Sequence, residues 1–167
     1  GNGRIGRLLI TFLLCHAGAL HDPLLYLSLF FKQNRSDYYR LLDDVRKDGD
    51  WEAWITFFLE GVAQTAEGAV ATARRLAAMF EEDRARIQAH GRRAGSALRV
   101  LDALKARPLV TLQDVGQRSA LSFPASSAGM ALLSELGIIR ELTGKKRNRV
   151  FVYSQYLSIL NEGTEAP

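Results

Sequence analysis

The sequence predicts a mainly α-helical protein in two parts: a helical first part, residues 1–90, and a small mixed α/β second part, residues 96–161. Three observations carry this. Helical periodicity runs through most of the first 90 residues. Gly91-Arg92-Arg93-Ala94-Gly95 has no apolar period and marks a linker, 91–95. After it the order changes to three helical stretches followed by two short strand-like stretches.

In the first part, Ile5, Leu8, Leu9, Phe12 and Leu13 follow helical spacing, and Ile10 and Leu14 fill the other side. A helix apolar nearly all round is expected to be buried on most sides, which makes it the central helix of its domain, stopped at Gly18. Asp22-Pro23 marks a turn, and Leu24 to Phe31 reads as a short helix. Ser36 is the expected N-cap of a helix from Asp37, whose apolar stripe is Tyr38, Leu41, Leu42 and Val45. Gly49 ends it and Asp50 caps the next, which opens with Trp51 and Trp54 as packing anchors. Helical signal then continues to His90, as one helix or as two broken near Gly61 or Gly68.

In the second part, Leu98, Leu101 and Leu104 set a first helix, and Pro108 to Val110 a short strand. Thr111-Leu112-Gln113-Asp114 has the form of a capping box that opens a second helix to about Ser119. Ala120 to Pro124 reads as a turn before a third helix, Ala125 to Leu136, stopped by Gly137. Ile138 to Leu142 and Arg149 to Tyr153 read as strands joined by a basic tip. Three helices and a hairpin in this order is the winged helix-turn-helix arrangement. A short helix from Gln155 to Asn161 and a frayed tail complete the chain.

The chemistry concentrates in Gly1-Asn2-Gly3-Arg4-Ile5-Gly6-Arg7. A glycine-rich turn feeding a helix start leaves bare N–H groups facing outward, where an anion can bind. Arg4 and Arg7 stand three apart on one helical face, and each can fork onto phosphate oxygens. This pattern points to polyphosphate. The net charge of +4 permits nucleotide or nucleic-acid binding without demanding it. Cys15 is the only cysteine, so no intrachain disulfide forms; a reducing, cytoplasmic location is expected. Leu8 to Leu20 is too short for a membrane span, and no membrane partner is expected.

Gly1-Asn2-Gly3-Arg4-x-x-Arg7 resembles the second half of the signature of Fic-domain proteins, His-Pro-Phe-x-Asp/Glu-Gly-Asn-Gly-Arg-x-x-Arg. The resemblance extends through Tyr26-Leu27-Ser28, Asn34-Arg35-x-x-Tyr38-Tyr39-x-x-Leu42 and Gly49-Asp50-Trp51-x-x-Trp54-x-x-Phe57-Phe58-Leu59-Glu60 into the winged helix. It implies a truncated Fic helical core followed by a winged helix, within a protein adenylyltransferase that uses ATP and Mg²⁺. Such a protein transfers AMP to a Tyr, Thr or Ser hydroxyl of a target protein. The signature's His, the general base, and its acidic residue, the metal ligand, are expected upstream of Gly1. The chain alone is therefore expected to be inactive, with no catalytic base and no metal ligand of its own.

By the same resemblance, Gly1, Asn2 and Gly3 form the anion hole for the α- and β-phosphates, with Ile5 and Gly6 in the same segment. Arg4 serves the β-phosphate side, and Arg7 the γ-phosphate or an inhibitory Glu. Tyr39 is the candidate nucleotide contact outside this cradle, while Tyr38 is expected in the core. Thr56-x-x-x-Glu60-Gly61 matches the family's restraint pattern literally, but two-domain relatives of this type carry the inhibitory helix before the core, so this match is read as coincidence.

A different class of reading is a winged-helix DNA-binding regulator with a Fic-derived sensor or dimerisation domain. Lys145, Lys146, Arg147 and Arg149 at the hairpin tip could track phosphates, but Ala125 to Leu136 carries no basic residue. Regulation or self-association as a homodimer is expected ahead of DNA binding.

Overall fold

The computed structural model describes residues 3–20, 26–145 and 147–162. Gly1, Asn2, the Asp22-Pro23 turn, Lys146 and the end of the tail lie outside the described residues. The protein is mainly helical, with a small three-stranded sheet. No helix among the described residues is long and apolar enough to cross a membrane. The chain forms two compact units, 1–71 and 72–167.

The first unit holds α1 (Gly3–His16), α2 (Leu27–Gln33), α3 (Arg35–Asp48) and the beginning of α4 (Trp51–Gln88). Its core is aromatic. Leu27, Phe30 and Phe31 of α2 are buried, and Ile10, Leu14, Tyr38, Phe57, Phe58 and Val62 pack against them. The Phe31 ring lies 4.9 Å from Tyr38 and 6.3 Å from Trp54, so Tyr38 and Trp54 anchor α3 and α4 to α2. Trp51, expected as a second anchor, is exposed instead. Asn34, not Ser36, separates α2 from α3. Its side-chain amide and its backbone N–H both donate to the Phe30 carbonyl while its own carbonyl accepts from Tyr38 N–H, so α3 starts two residues earlier than expected. Gly49 closes α3 in the left-handed region (φ 71°), and Asp50 accepts from Ala53 N–H at 3.1 Å to open α4.

α4 is one helix. Gly68 meets nothing that would break it, and Gly61 is a packing position: a Cβ there would sit 2.5 Å from the Phe30 ring. Residues 91–95, expected as a linker, carry regular structure. A single 3₁₀ turn, Gly91–Arg93, leads straight into α5 (Ala94–Ala106). The division falls at 71/72 because the last turns of α4 belong to the second core, where Met79 and Ile87 are buried.

That second core gathers around α5, which buries Ala97, Val100, Leu101 and Leu104 at i, i+3, i+4 and i+7. Against it pack α6 (Leu112–Ser119) and α7 (Phe123–Glu135). Gly129 lets α7 approach α5: a Cβ there would meet Val100 Cγ2 at 2.8 Å. The Thr111–Asp114 capping box forms, with Asp114 accepting from Thr111 N–H at 2.8 Å. This backbone bond, above the other contributors, holds the Asp114 carboxyl below the usual carboxylate range. α7 starts two residues before the expected position, because Pro124 is tolerated in a first turn that needs no N–H from it.

Strands β1 (Leu109–Thr111), β2 (Arg140–Glu141) and β3 (Val150–Val152) form an antiparallel sheet in the order β1-β3-β2. Val110 and Glu141 both stand opposite Phe151. α8 (Ser154–Asn161) closes the described fold.

The second unit is fastened at Tyr153, which is fully buried. Its hydroxyl donates to Asp83 of α4 at 2.5 Å, and Asp83 is itself only 2% exposed. The other Asp83 oxygen accepts from Arg86 at 2.6 Å, and Arg86 also donates to the Leu136 carbonyl at the end of α7. Replacing Tyr153 with Phe keeps the shape but leaves a buried carboxylate short of a donor, which costs about 1–3 kcal/mol. Denaturant unfolding of Tyr153→Phe is expected to show that loss. A change within about 0.5 kcal/mol would mean the bond is dispensable.

Candidate functional site

α1 begins at Gly3, within the glycine–arginine run, and has no acidic residue in its first turn; Gly1 and Asn2 lie outside the described residues. The first N–H groups of such a helix have no partner inside it and carry the positive end of its dipole. Arg4 and Arg7 follow in the α1 sequence, three positions apart, and their side chains lie outside what is described. Ile5 is 69% exposed, and a Cβ on Gly6 would meet nothing within 4 Å. Among the described residues, nothing packs against the backbone at Gly6.

α1 departs from expectation in its burial. Ile10 and Leu14 pack toward the α2 aromatics, but Ile5, Leu8, Leu9, Phe12 and Leu13 are all more than half exposed. Among the described residues only one face of this helix finds a partner, so apolarity on all sides did not translate into burial on all sides.

Tyr39 lies on α3 and is 55% exposed. Its ring meets Tyr38 edge-on at 5.2 Å, and the Arg35 guanidinium sits 5.6 Å from its centroid. One flat face is thus shared with a cation, and the hydroxyl points to no protein partner among the described residues. The structure does not bring Tyr39 together with the α1 segment through any described ring contact or hydrogen bond.

Sequence reasoning missed a shallow cleft of about 580 Å³ between α3 and α4. Its floor is Leu41, Ala53 and Phe57, and its rim is charged, with Asp37, Arg40, Glu52 and Glu60. Arg40 pairs with both Asp37 and Asp44. The signal was present as the i, i+4, i+8 series Glu52, Thr56 and Glu60 on one side of α4. Two members of the Thr56-x-x-x-Glu60-Gly61 pattern have structural explanations. The Thr56 hydroxyl donates to the Glu52 carbonyl at 2.9 Å, and Gly61 makes room for Phe30.

Among the described residues no group of three His, Cys, Asp or Glu side chains could hold a metal. In the second unit, Lys145 and Arg147 are exposed at the hairpin tip. Arg149 lies 3.8 Å from Glu141 and stacks 5.4 Å over the Phe151 ring. No family model matches the chain.

The geometry separates two roles for the Thr56–Gly61 stretch. Gly61→Ala forces a methyl group into Phe30 and is expected to destabilise the first unit by about 1–3 kcal/mol. Glu60→Gln, at an exposed site, is expected to leave both stability and ATP affinity unchanged. Thermal melts and ATP titrations of the two variants check this; tighter ATP binding in Glu60→Gln would make Glu60 a restraining residue after all.

Proposed function

We propose that this chain carries the phosphate-holding half of a Fic-type protein adenylyltransferase, joined to a winged helix-turn-helix. The observation that carries the reading is the sequence Gly1-Asn2-Gly3-Arg4-x-x-Arg7, which runs into α1, a helix that begins at Gly3. The element order α5, β1, α6, α7, β2, β3 supports the winged-helix half.

In the reaction, the oxygen of a target hydroxyl bonds to the α-phosphorus of ATP, the α–β bridging bond breaks, and pyrophosphate leaves with the electron pair. The hydroxyl proton goes to a base that the signature supplies ahead of Gly1. The share assigned to this chain is electrostatic. The α1 N–H groups hold phosphate oxygens in place, and Arg4 and Arg7 offset the charge that builds on the leaving side. On this reading the 167 residues bind nucleotide without turning it over.

The DNA-binding alternative rests on Lys145, Arg147 and Arg149. It is weakened by α7, which presents no cation along Phe123–Glu135, so duplex contacts would be confined to the hairpin and poor in sequence information.

Titration of the chain with ATP, followed by calorimetry, tests the proposal. Arg4→Ala is expected to weaken binding about tenfold, the loss of a charge-assisted contact worth about 1.5 kcal/mol. Arg7→Ala is expected to weaken ATP more than AMP. Binding that is absent, or indifferent to both substitutions, would overturn the assignment.

A further inference from the structure

Within the first unit, α4 carries an apolar face that the aromatic core does not use. At about 100° per residue, Trp51, Ile55, Leu59, Ala63, Ala66 and Val70 fall within an arc of about 120° on one side of the helix. Trp51, Ile55, Leu59 and Val70 are each at least half exposed, and both alanines are exposed. Trp54, Phe57 and Phe58, which α4 sends toward the core, lie outside this arc. Glu52 is the one charged residue within it. A surface helix ordinarily turns its charged side to water. Here the side turned to water is apolar over about 30 Å.

The order of sizes along the face points to what covers it. Large groups, Trp51, Ile55 and Leu59, fill its first half, and small ones, Ala63, Ala66 and Ala69, dominate the second. Such a face is complementary to itself when reversed. In an antiparallel pair about a two-fold axis near residues 60 and 61, Leu59 of each copy lies beside the axis. Ile55 of one copy then faces Ala66 of the other, and Trp51 faces Ala69 and Val70. Each large group meets a smaller one, so the two helices come close along the whole face. A parallel pair would set Trp51 on Trp51 and hold the alanines apart across a gap.

The area agrees. The face exposes roughly 500 Å² on each copy, so pairing removes roughly 1,000 Å² in all, the size at which specific interfaces begin. A second exposed apolar face, on α1, is built of Ile5, Leu8, Leu9, Phe12 and Leu13. All five are large, so it has no small half to receive them from a copy.

We propose that the chain forms a homodimer through the 51–70 face of α4, with the two helices antiparallel. This assignment stands apart from the nucleotide reading, since it uses no residue of α1 and not Tyr39.

Sedimentation of the chain over a range of concentrations tests it. A monomer–dimer equilibrium is expected, undiminished by high salt because no ion pair holds it. Leu59→Glu, at an exposed position, is expected to weaken it at least about tenfold with the helical circular dichroism unchanged. Leu9→Glu, on the α1 face, is expected to leave it intact. Orientation is read by a short bismaleimide in a Cys15→Ser background. Ala63→Cys is expected to cross-link to its own copy, and Val70→Cys, roughly 30 Å from its counterpart, is not. The proposal is overturned by a chain that stays monomeric, by a dimer that survives Leu59→Glu or is lost in Leu9→Glu, or by cross-linking through Val70→Cys.

Discussion

One buried carboxylate organises the second unit. Asp83 is taken out of water by its surroundings, and a charge so placed is costly unless it is answered by donors. It is answered twice, by the Tyr153 hydroxyl and by Arg86. Burial first, and then the bond to Asp83, push the Tyr153 phenol well above its ordinary range, so it remains a donor. Through these contacts the end of β3 and the end of α7 are tied to the same turn of α4, and the Tyr153 N–H reaches the Pro108 carbonyl just before β1. The spacing of α7 and β3 depends on this fastening.

The fastening also explains where sequence reading stopped. Local signals were legible: the Thr111–Asp114 capping box, the Gly49 and Gly137 helix stops, and the Asp50 cap all act within a few residues of where they are written. The unit boundary was not, because Asp83 and Tyr153 are 70 positions apart and neither belongs to a pattern that announces a partner. Gly91 and Gly95 suggested a linker, yet the same α4 turns that precede them were already committed to the second core. α7 and its preceding turn were displaced for a related reason: Pro124 reads as a breaker, but at a helix start it costs nothing.

For the candidate site the sequence supplied residue types that suit an anion, and the environment of those residues was illegible. Glycines and arginines at a helix start announce an anion whatever surrounds them. The exposure of Leu8, Leu9, Phe12 and Leu13 could not be read from their apolarity, since the same residues would line a core. Nor could the cation beside the Tyr39 ring, which depends on Arg35 lying one helical turn earlier on α3. The two units thus present different chemistry: in the first an exposed apolar face on α1, in the second a buried carboxylate answered by a phenol and a guanidinium.

We propose that the first unit holds the phosphates of a nucleotide whose α-phosphoryl group is transferred. The most direct measurement extends the chain at Gly1 with the complete signature and compares protein labelling from ATP carrying label in the α- or the γ-phosphate. The account predicts label on protein from the α position alone, lost when Arg4 is replaced by Ala. Label from the γ position, or α label that survives the loss of Arg4, would contradict it.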